Sequence, residues 1–305
     1  MSGRGGLGFV LIALAATAAG AHPGLHHDIA AACEAIEREP ARADLYVDRA
    51  FLERLGEEYQ AALSDLDHAR KLEPGNLRVA AELGLTYAAL GRDREADTEL
   101  STFIRHGGTA PVLAERAKVR ERLGRPKEAV ADYTAAIALK PDVEYVLARG
   151  ALQESLRDLA GAAAGYEEGR AKLGGAVTLD LALIRVETAR GRYARALQVV
   201  DKQLAAAPIK TDWYLRRADV LDAAGRKAEA RADRQTALQE ADAAVEANGN
   251  GMQLYARARA RAALGQTDAA KRDLELVLEK SPRFVEARDM LAKLPTTNND
   301  KGMKP

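Results

Sequence analysis

The amino-acid sequence predicts an all-α fold, a right-handed superhelical solenoid of about seven helix–turn–helix repeats. A turn residue recurs at steps of 35, 33, 33, 34, 34 and 40 residues. A small residue precedes most of these turns at a fixed distance, and an alanine follows at another. A period near 34 residues is typical of stacked helix pairs, which bury their apolar faces against their neighbours. The turn residues are Gly56, Gly91, Gly124, Arg157, Gly191, Gly225 and Gly265.

The second repeat shows the pattern most clearly. Leu83, Tyr87 and Leu90 have the spacing of an amphipathic helix. Gly91 ends that helix, because glycine adopts the left-handed conformation of a helix C-cap without a steric penalty. A second apolar stripe, formed by Ala96, Leu100 and Phe103, predicts the following helix.

Counted so that the turn residue is position 15, the other repeats follow the same plan. A small residue at position 8 and an alanine at position 20 indicate two closely crossing helices, since a larger side chain would overpack the contact. Position 8 holds Ala50, Gly84, Ala117, Gly150, Ala218 and Ala258, with Ile184 as the exception; Ala50 and Ala62 are displaced by one in the first repeat. Prolines at 74, 141, 208 and 282 predict where second helices stop.

This set of positions resembles the tetratricopeptide repeat family over residues 26–294. The family is marked by a small residue at position 8, Gly at 15, Ala at 20, an aromatic at 24 and Pro at 32. The aromatic residue of position 4 is mostly missing, and only Tyr214 is found there. The resemblance implies a repeat array that binds a protein or peptide segment along the concave wall formed by its first helices.

Further elements modify the array, which we place at residues 22–294. A capping helix is predicted at 28–39 and a closing helix at 283–294, with Phe284, Ala287 and Leu291 facing inward. About six extra residues at 239–251 are expected to lengthen the helix before the turn at 248–251. The polar tail, 295–305, is predicted to be disordered.

Residues 1–21 are typical of a secretory signal peptide. Arg4 precedes an apolar run at 7–16, and small residues at 19–21 form a cleavage pattern. The run is too short for a membrane span. We therefore expect a periplasmic or secreted protein, cleaved after Ala21 and without stable membrane insertion; an uncleaved anchor is the alternative.

Charge, composition and motifs give no support to several classes of function. The chain has 305 residues with 45 Lys and Arg against 45 Asp and Glu, so no net field favours nucleic acid. Cys33 is the single cysteine, which rules out an internal disulfide. No glycine-rich phosphate loop follows a strand, no nucleophile elbow is present, and no histidine pair has metalloprotease spacing. We predict a non-enzymatic protein that needs no cofactor.

One metal-binding hypothesis remains open. Cleavage after Ala21 would make His22 the amino terminus, and its amine and imidazole could join His26 or His27 to hold copper or zinc. The alternative is a polar lead into the first helix, with Asp28 near the helix N-terminus.

The family resemblance implies a second kind of site, the groove lined by positions 2, 5, 9 and 12 of the first helices. Arginine there can bind a peptide carboxylate with two hydrogen bonds. The groove candidates are Tyr46, Lys118, Glu121, Glu154, Arg185, Arg216, Asp219, Asp222, Tyr255 and Arg259.

The favoured function is a scaffold of the cell envelope that binds a protein or peptide segment. The alternatives are a periplasmic metal-binding accessory protein and a self-associating structural protein.

Overall fold

A computed structural model describes residues 24–295, and within that range the chain forms sixteen α-helices and no strand. The predicted all-α repeat class is confirmed. The predicted signal segment 1–21, His22 and the tail from 296 onward lie outside the described residues. The helices are α1 Leu25–Arg38, α2 Ala43–Leu55, α3 Tyr59–Leu72, α4 Leu77–Ala89, α5 Asp93–Ile104, α6 Ala110–Arg122, α7 Pro126–Leu139, α8 Val143–Ser155, α9 Leu159–Lys172, α10 Val177–Ala189, α11 Tyr193–Ala206, α12 Thr211–Ala223, α13 Lys227–Asn248, α14 Gly251–Ala263, α15 Thr267–Lys280 and α16 Val285–Lys293.

The described residues divide into two compact units. The N-terminal unit comprises residues up to Asp158 together with 171–174. In it, α2 packs on α3, α4 on α5, and α6 on α7, while the first helices α2, α4 and α6 also contact one another in order. Helix α1 covers α2, and α8 packs on α7.

The C-terminal unit comprises residues 159–170 and those from 175 onward. Its helix pairs are α10 with α11, α12 with α13, and α14 with α15, and the first helices α12 and α14 touch. Helix α16 packs on α15, where Ala287 is buried and Phe284 and Leu291 join the cluster around Leu274. The inward face predicted for this closing helix is confirmed.

The turns between paired helices use the left-handed backbone conformation. Positive φ angles occur at Glu57 (63°), Gly91 (69°), Gly124 (71°), Arg157 (63°), Gly191 (72°), Gly225 (77°) and Gly265 (76°). The assignment of Gly56 to the first turn is therefore wrong, since Gly56 has φ −83° and Glu57 takes the left-handed position. With Glu57 as position 15, Ala50 and Ala62 fall into the register of the other repeats.

Close packing explains the small residue at position 8. A Cβ atom added to Gly84 would lie 2.6 Å from Cγ of Leu100 on the partner helix. The corresponding alanines of other repeats, such as Ala117 and Ala218, are fully buried. The second helices α3, α7, α11 and α15 each end two residues before the predicted proline stop.

The extra residues of the sixth repeat lengthen its second helix, as predicted. Helix α13 has 22 residues, against 14 in α11 and α15. Asp242 in the added part lies 3.5 Å from Arg257 and from Arg261 on α14. Asn250 and Gln253 then form a capping box that starts α14. Helix α1 begins at Leu25, three residues before the start predicted from the sequence.

Candidate functional site

A cleft of about 490 Å³ opens between the first helices α6 and α8 of the N-terminal unit. This volume is in the range of sites that take a ligand or a few side chains of a partner. All of its lining residues belong to one unit. They are Lys118, Glu121 and Arg122 of α6, Tyr133 of α7, and Ala148, Ala151, Leu152 and Ser155 of α8.

Tyr133 forms the floor of the cleft. The residue is 2% exposed and packs in a cluster with Ala117 and Ala136. Burial, followed by the charge of Glu121 and a hydrogen bond to it, raises the pKa of Tyr133 far above the ordinary tyrosine value. The hydroxyl therefore stays protonated beside the Glu121 carboxylate, at the edge of the cleft.

Lys118 lies between two carboxylates on the α6 side. Its Nζ is 3.6 Å from Glu115 Oε2 and 3.5 Å from Glu144 Oε1 of α8. These pairs are partly exposed to water, so each contributes little to stability. Lys118 and Glu144 therefore join the two walls by a contact that a partner could displace.

Arg122 is held by a stronger set of contacts. One of its Nη atoms lies 2.7 Å from Asp93 Oδ1 and 3.4 Å from the carbonyl oxygen of Ala88, to which it donates. The hydrogen bond to Asp93 raises the pKa of Arg122. The charge of Arg122 is thus largely satisfied within the protein.

The opposite wall, α8, is small and apolar. Ala148 and Ala151 have no side chain beyond Cβ, which leaves the space open above Tyr133. Leu152 and Ala148 also pack against the Tyr133 cluster from α8. Ser155 turns its hydroxyl to the Leu152 carbonyl, 2.7 Å away. The cleft can therefore accept an apolar side chain, with charged groups available at its rim.

The structure brings two of the predicted groove residues together, since Lys118 and Glu121 both line this cleft. Glu154 lies on α8 and is partly buried. Tyr46, in contrast, is a core residue with 9% exposure. Its hydroxyl donates to the Pro40 carbonyl at 3.1 Å and its ring lies 4.3 Å from that of His68. The shift of the first turn to Glu57 explains this correction, because it moves Tyr46 to position 4, the same packing position as Tyr214.

Most of the predicted groove residues in the C-terminal unit contact a side chain of the same unit. Arg259 of α14 pairs with Asp212 of α12 at 2.5 Å. Tyr255 meets Phe284 edge to face, with ring centroids 5.0 Å apart. Arg185 is exposed on α10. The guanidinium carbon of Arg216 is 6.0 Å from the Trp213 ring centre. Asp219 and Asp222 both pair with Arg234.

The metal hypothesis gains no partner ligands from the described part of the chain. His26 and His27 are exposed on α1. Between residues 24 and 295 no three His, Cys, Asp or Glu side chains are placed to hold a metal ion together. His22 lies outside that range, so the hypothesis stays a prediction. Over the same residues, no helix has both the length and the hydropathy needed to cross a bilayer.

Sequence reasoning missed most of the α8 wall and the Tyr133 hydroxyl. The repeat pattern indicates Tyr133 only as the packing residue of position 24. Ala148, Ala151 and Ser155 occupy positions 6, 9 and 13 of the fourth repeat, one repeat along from Lys118 and Glu121. The absence of large side chains at these positions is the signal that would have indicated an open cleft.

Comparison with known proteins identifies a tetratricopeptide repeat in one segment of the chain. Residues 110–143, which comprise α6, α7 and the start of α8, match the family model of the tetratricopeptide repeat. A comparison with curated proteins gives no match.

Solved structures show the fold. The C-terminal part of a repeat-containing protein from Cytophaga hutchinsonii has a TM-score of 0.54 and 14% identity, with coverage of 80% of this chain and 99% of that one. A tetratricopeptide repeat protein from Parabacteroides merdae has a TM-score of 0.47 and 20% identity, covering 82% and 97%. YrrB, described as having an unusual peptide-binding site, has a TM-score of 0.49 and 21% identity, covering 58% and 93%. At such identities the first of these likenesses supports the helical-repeat fold alone.

Proposed function

We propose that this protein is a non-enzymatic scaffold that binds a segment of a partner protein in the α6–α8 cleft. The single observation that carries the proposal is the cleft itself, an open space with a buried aromatic floor, an apolar wall and a charged rim. Repeat arrays use such surfaces between neighbouring helices for recognition. The match of residues 110–143 to the tetratricopeptide repeat supports the same class of function.

A photo-crosslinking experiment tests this proposal. A p-benzoyl-phenylalanine in place of Ala151 puts the reactive group in the cleft. The matched control replaces Ala138, an exposed alanine of α7 that does not line the cleft. We expect illumination in cells of the source organism to give a discrete adduct from position 151 and none from position 138. Equal labelling from both positions, or no adduct from position 151, would contradict the proposal.

The place of action is part of the proposal. The composition of residues 1–21 supports export, and a scaffold of the periplasm or outer envelope would follow. Determination of the N-terminal residue of the protein purified from cells tests it. A mature chain that starts at His22 supports export with cleavage, whereas a chain that retains residues 1–21 contradicts the cleavage.

A further inference from the structure

We propose that the α6–α8 cleft selects a basic partner segment, one that presents Lys or Arg side chains beside an apolar side chain. This inference rests on the proposed function and names the chemistry of the partner. It starts from the charges at the rim. The charged lining residues are Glu121, Lys118 and Arg122. Beside them lie Glu115 and Glu144, which contact Lys118, and Asp93, which pairs with Arg122.

The first step concerns which charges are available to a partner. Lys118 faces both Glu115 and Glu144, so one ammonium group is shared between two carboxylates. Glu121 lies near the Tyr133 hydroxyl, which is neutral and does not offset the charge of the carboxylate. Lys118 and Arg122 therefore face the four carboxylates of Asp93, Glu115, Glu121 and Glu144, which leaves an excess of two negative charges among these six groups.

The second step concerns access. The side chain of Glu144 is 69% exposed at the start of α8, and Glu121 is exposed on α6. The two carboxylates come from opposite walls of the cleft. A cation of a bound segment can reach either one without displacing a buried group, and a rim contact of this kind sets specificity and association rate.

The third step concerns the neighbouring apolar surface. Ala148, Ala151 and Leu152 leave a recess above the Tyr133 ring. Burial of an aliphatic side chain there supplies affinity in proportion to the apolar area removed from water. An acidic segment could fill the same recess, but its carboxylates would then face Glu121 and Glu144, and like charges disfavour the complex.

Peptide binding to the full chain tests the inference. Three fluorescein-labelled peptides share a central Leu-Leu and differ only in four flanking positions, which are Lys, Gln or Glu. Fluorescence anisotropy at low salt should show the Lys peptide binding about tenfold more tightly than the Glu peptide, as expected for two or three exposed ion pairs. The difference should shrink at high salt, because screening weakens exposed pairs.

Two variants locate the effect. Glu121→Gln with Glu144→Gln should reduce the preference for Lys severalfold without affecting the thermal melting temperature by more than a few degrees. The matched control, Glu128→Gln, lies on α7 outside the cleft and pairs with Arg125. It should leave the preference unchanged.

The outcomes separate this inference from the function on which it rests. A Glu peptide that binds as tightly as the Lys peptide, or a preference for Lys that survives the double variant, overturns the charge selection. If position 151 still crosslinks to a partner in cells, the scaffold proposal then stands alone. Failure of the Lys peptide to bind, together with no adduct from position 151, overturns both.

Discussion

Arg116 of α6 binds Asp132 of α7 through two parallel hydrogen bonds, Nε to Oδ2 at 2.9 Å and Nη2 to Oδ1 at 2.6 Å. The pair joins the two helices of one repeat, and its members are sixteen residues apart. The same bidentate pair recurs in three other repeats, as Arg49 with Asp65, Arg217 with Asp233, and Arg257 with Asp273. A fixed pair of charges thus fastens four of the helix pairs.

Replacing Asp132 by alanine should destabilise the third repeat by about 3 kcal/mol, because it leaves the largely buried guanidinium group of Arg116 without a carboxylate, while Arg120 keeps Asp97. Arg116 and Arg120 both donate to Asp132, and the side chains of both are 12% exposed. Urea unfolding followed by circular dichroism measures the loss.

The matched control for this prediction is Asp233→Ala. Its partner Arg217 is 30% exposed and also pairs with Asp201 at 2.9 Å. Water and Asp201 can then compensate the charge, so the loss should be smaller. Equal losses in the two variants would show that burial of the guanidinium groups does not determine the cost.

Replacing Gly84 by alanine should destabilise the second repeat by about 1–3 kcal/mol, the usual cost of overpacking. The added Cβ would meet Cγ and Cδ2 of Leu100 at 2.6 Å. Hydrogen exchange should show the loss in α4 and α5, because a repeat contacts only its neighbours.

A double-mutant cycle identifies the cause. In a Leu100→Ala background, Gly84→Ala should cost much less than in the natural chain, since the two side-chain atoms at 2.6 Å are gone and only the backbone nitrogen at 3.0 Å remains close. A cost that is the same in both backgrounds would place the effect of Gly84 elsewhere than in its contact with Leu100.

Replacing Glu57 by glycine should stabilise the protein slightly. Glu57 has φ 63°, a conformation that costs a residue with a Cβ about 1–2 kcal/mol. Glycine removes this cost, but its greater flexibility in the unfolded chain offsets about 0.5–1 kcal/mol of the gain. We expect Glu57→Gly to gain up to about 1 kcal/mol in thermal or urea unfolding.

The opposite change provides the comparison. Gly91 has φ 69°, and a Cβ atom added there would have no neighbour within 4 Å, so Gly91→Ala tests backbone strain without a clash. It should lose about 1 kcal/mol. A Glu57→Gly variant that is destabilised would mean that Glu57 makes a contribution greater than its strain.

Glu53 should make stability fall as the pH rises from about 4.5 to about 7. Burial, together with the charge of Asp65, raises the pKa of this carboxyl from 4.5 to about 7. Below pH 4.5 the carboxyl is protonated in both the folded and the unfolded chain, so it carries no penalty. Above that, the unfolded chain ionises first, and the penalty grows to about 3 kcal/mol by pH 7 and then stays constant.

The Glu53→Gln variant isolates this effect. The variant should match the natural protein near pH 4 and exceed it by about 2–3 kcal/mol above about pH 7. Taking the difference between the two unfolding curves removes the contribution of all other carboxylates. Glu37→Gln, at an exposed position of α1, should show no such difference. A difference for Glu53 that stays flat across this range would contradict the shifted pKa.

The repeat period, the helix stops and the long α13 could be read from the sequence because each follows from local chemistry. Gly and Pro determine where helices end, and the added residues of the sixth repeat must go into a helix or a loop. The first turn could not be read, because glycine is the residue most expected in a left-handed turn. Gly56 serves another purpose: its Cβ position would lie 3.2 Å from Cδ2 of Leu25, so α1 approaches the turn closely there.

The candidate site was predictable in part for a related reason. Position in the repeat determines the face of a helix, so Lys118 and Glu121 could be assigned to the inner wall. Their neighbours could not, because the contact of Lys118 with Glu144 and the closeness of Glu121 to Tyr133 depend on how adjacent helices pack. One misplaced turn residue also assigned Tyr46 to the groove, although its side chain belongs to the core.

The bidentate pair has a consequence for how an array of this kind can change in length. Both members of the pair lie within one helix pair, so duplication or deletion of a whole repeat carries both charges together. In the fifth repeat the two positions have changed jointly, to the buried residues Leu183 and Val199. An exchange of both charges for apolar side chains is close to neutral, whereas loss of one is costly. This pair therefore moves with its repeat when a whole repeat is copied or removed, whereas pairs such as Arg54 with Glu82 and Arg120 with Asp97 join neighbouring repeats and are broken by the same change.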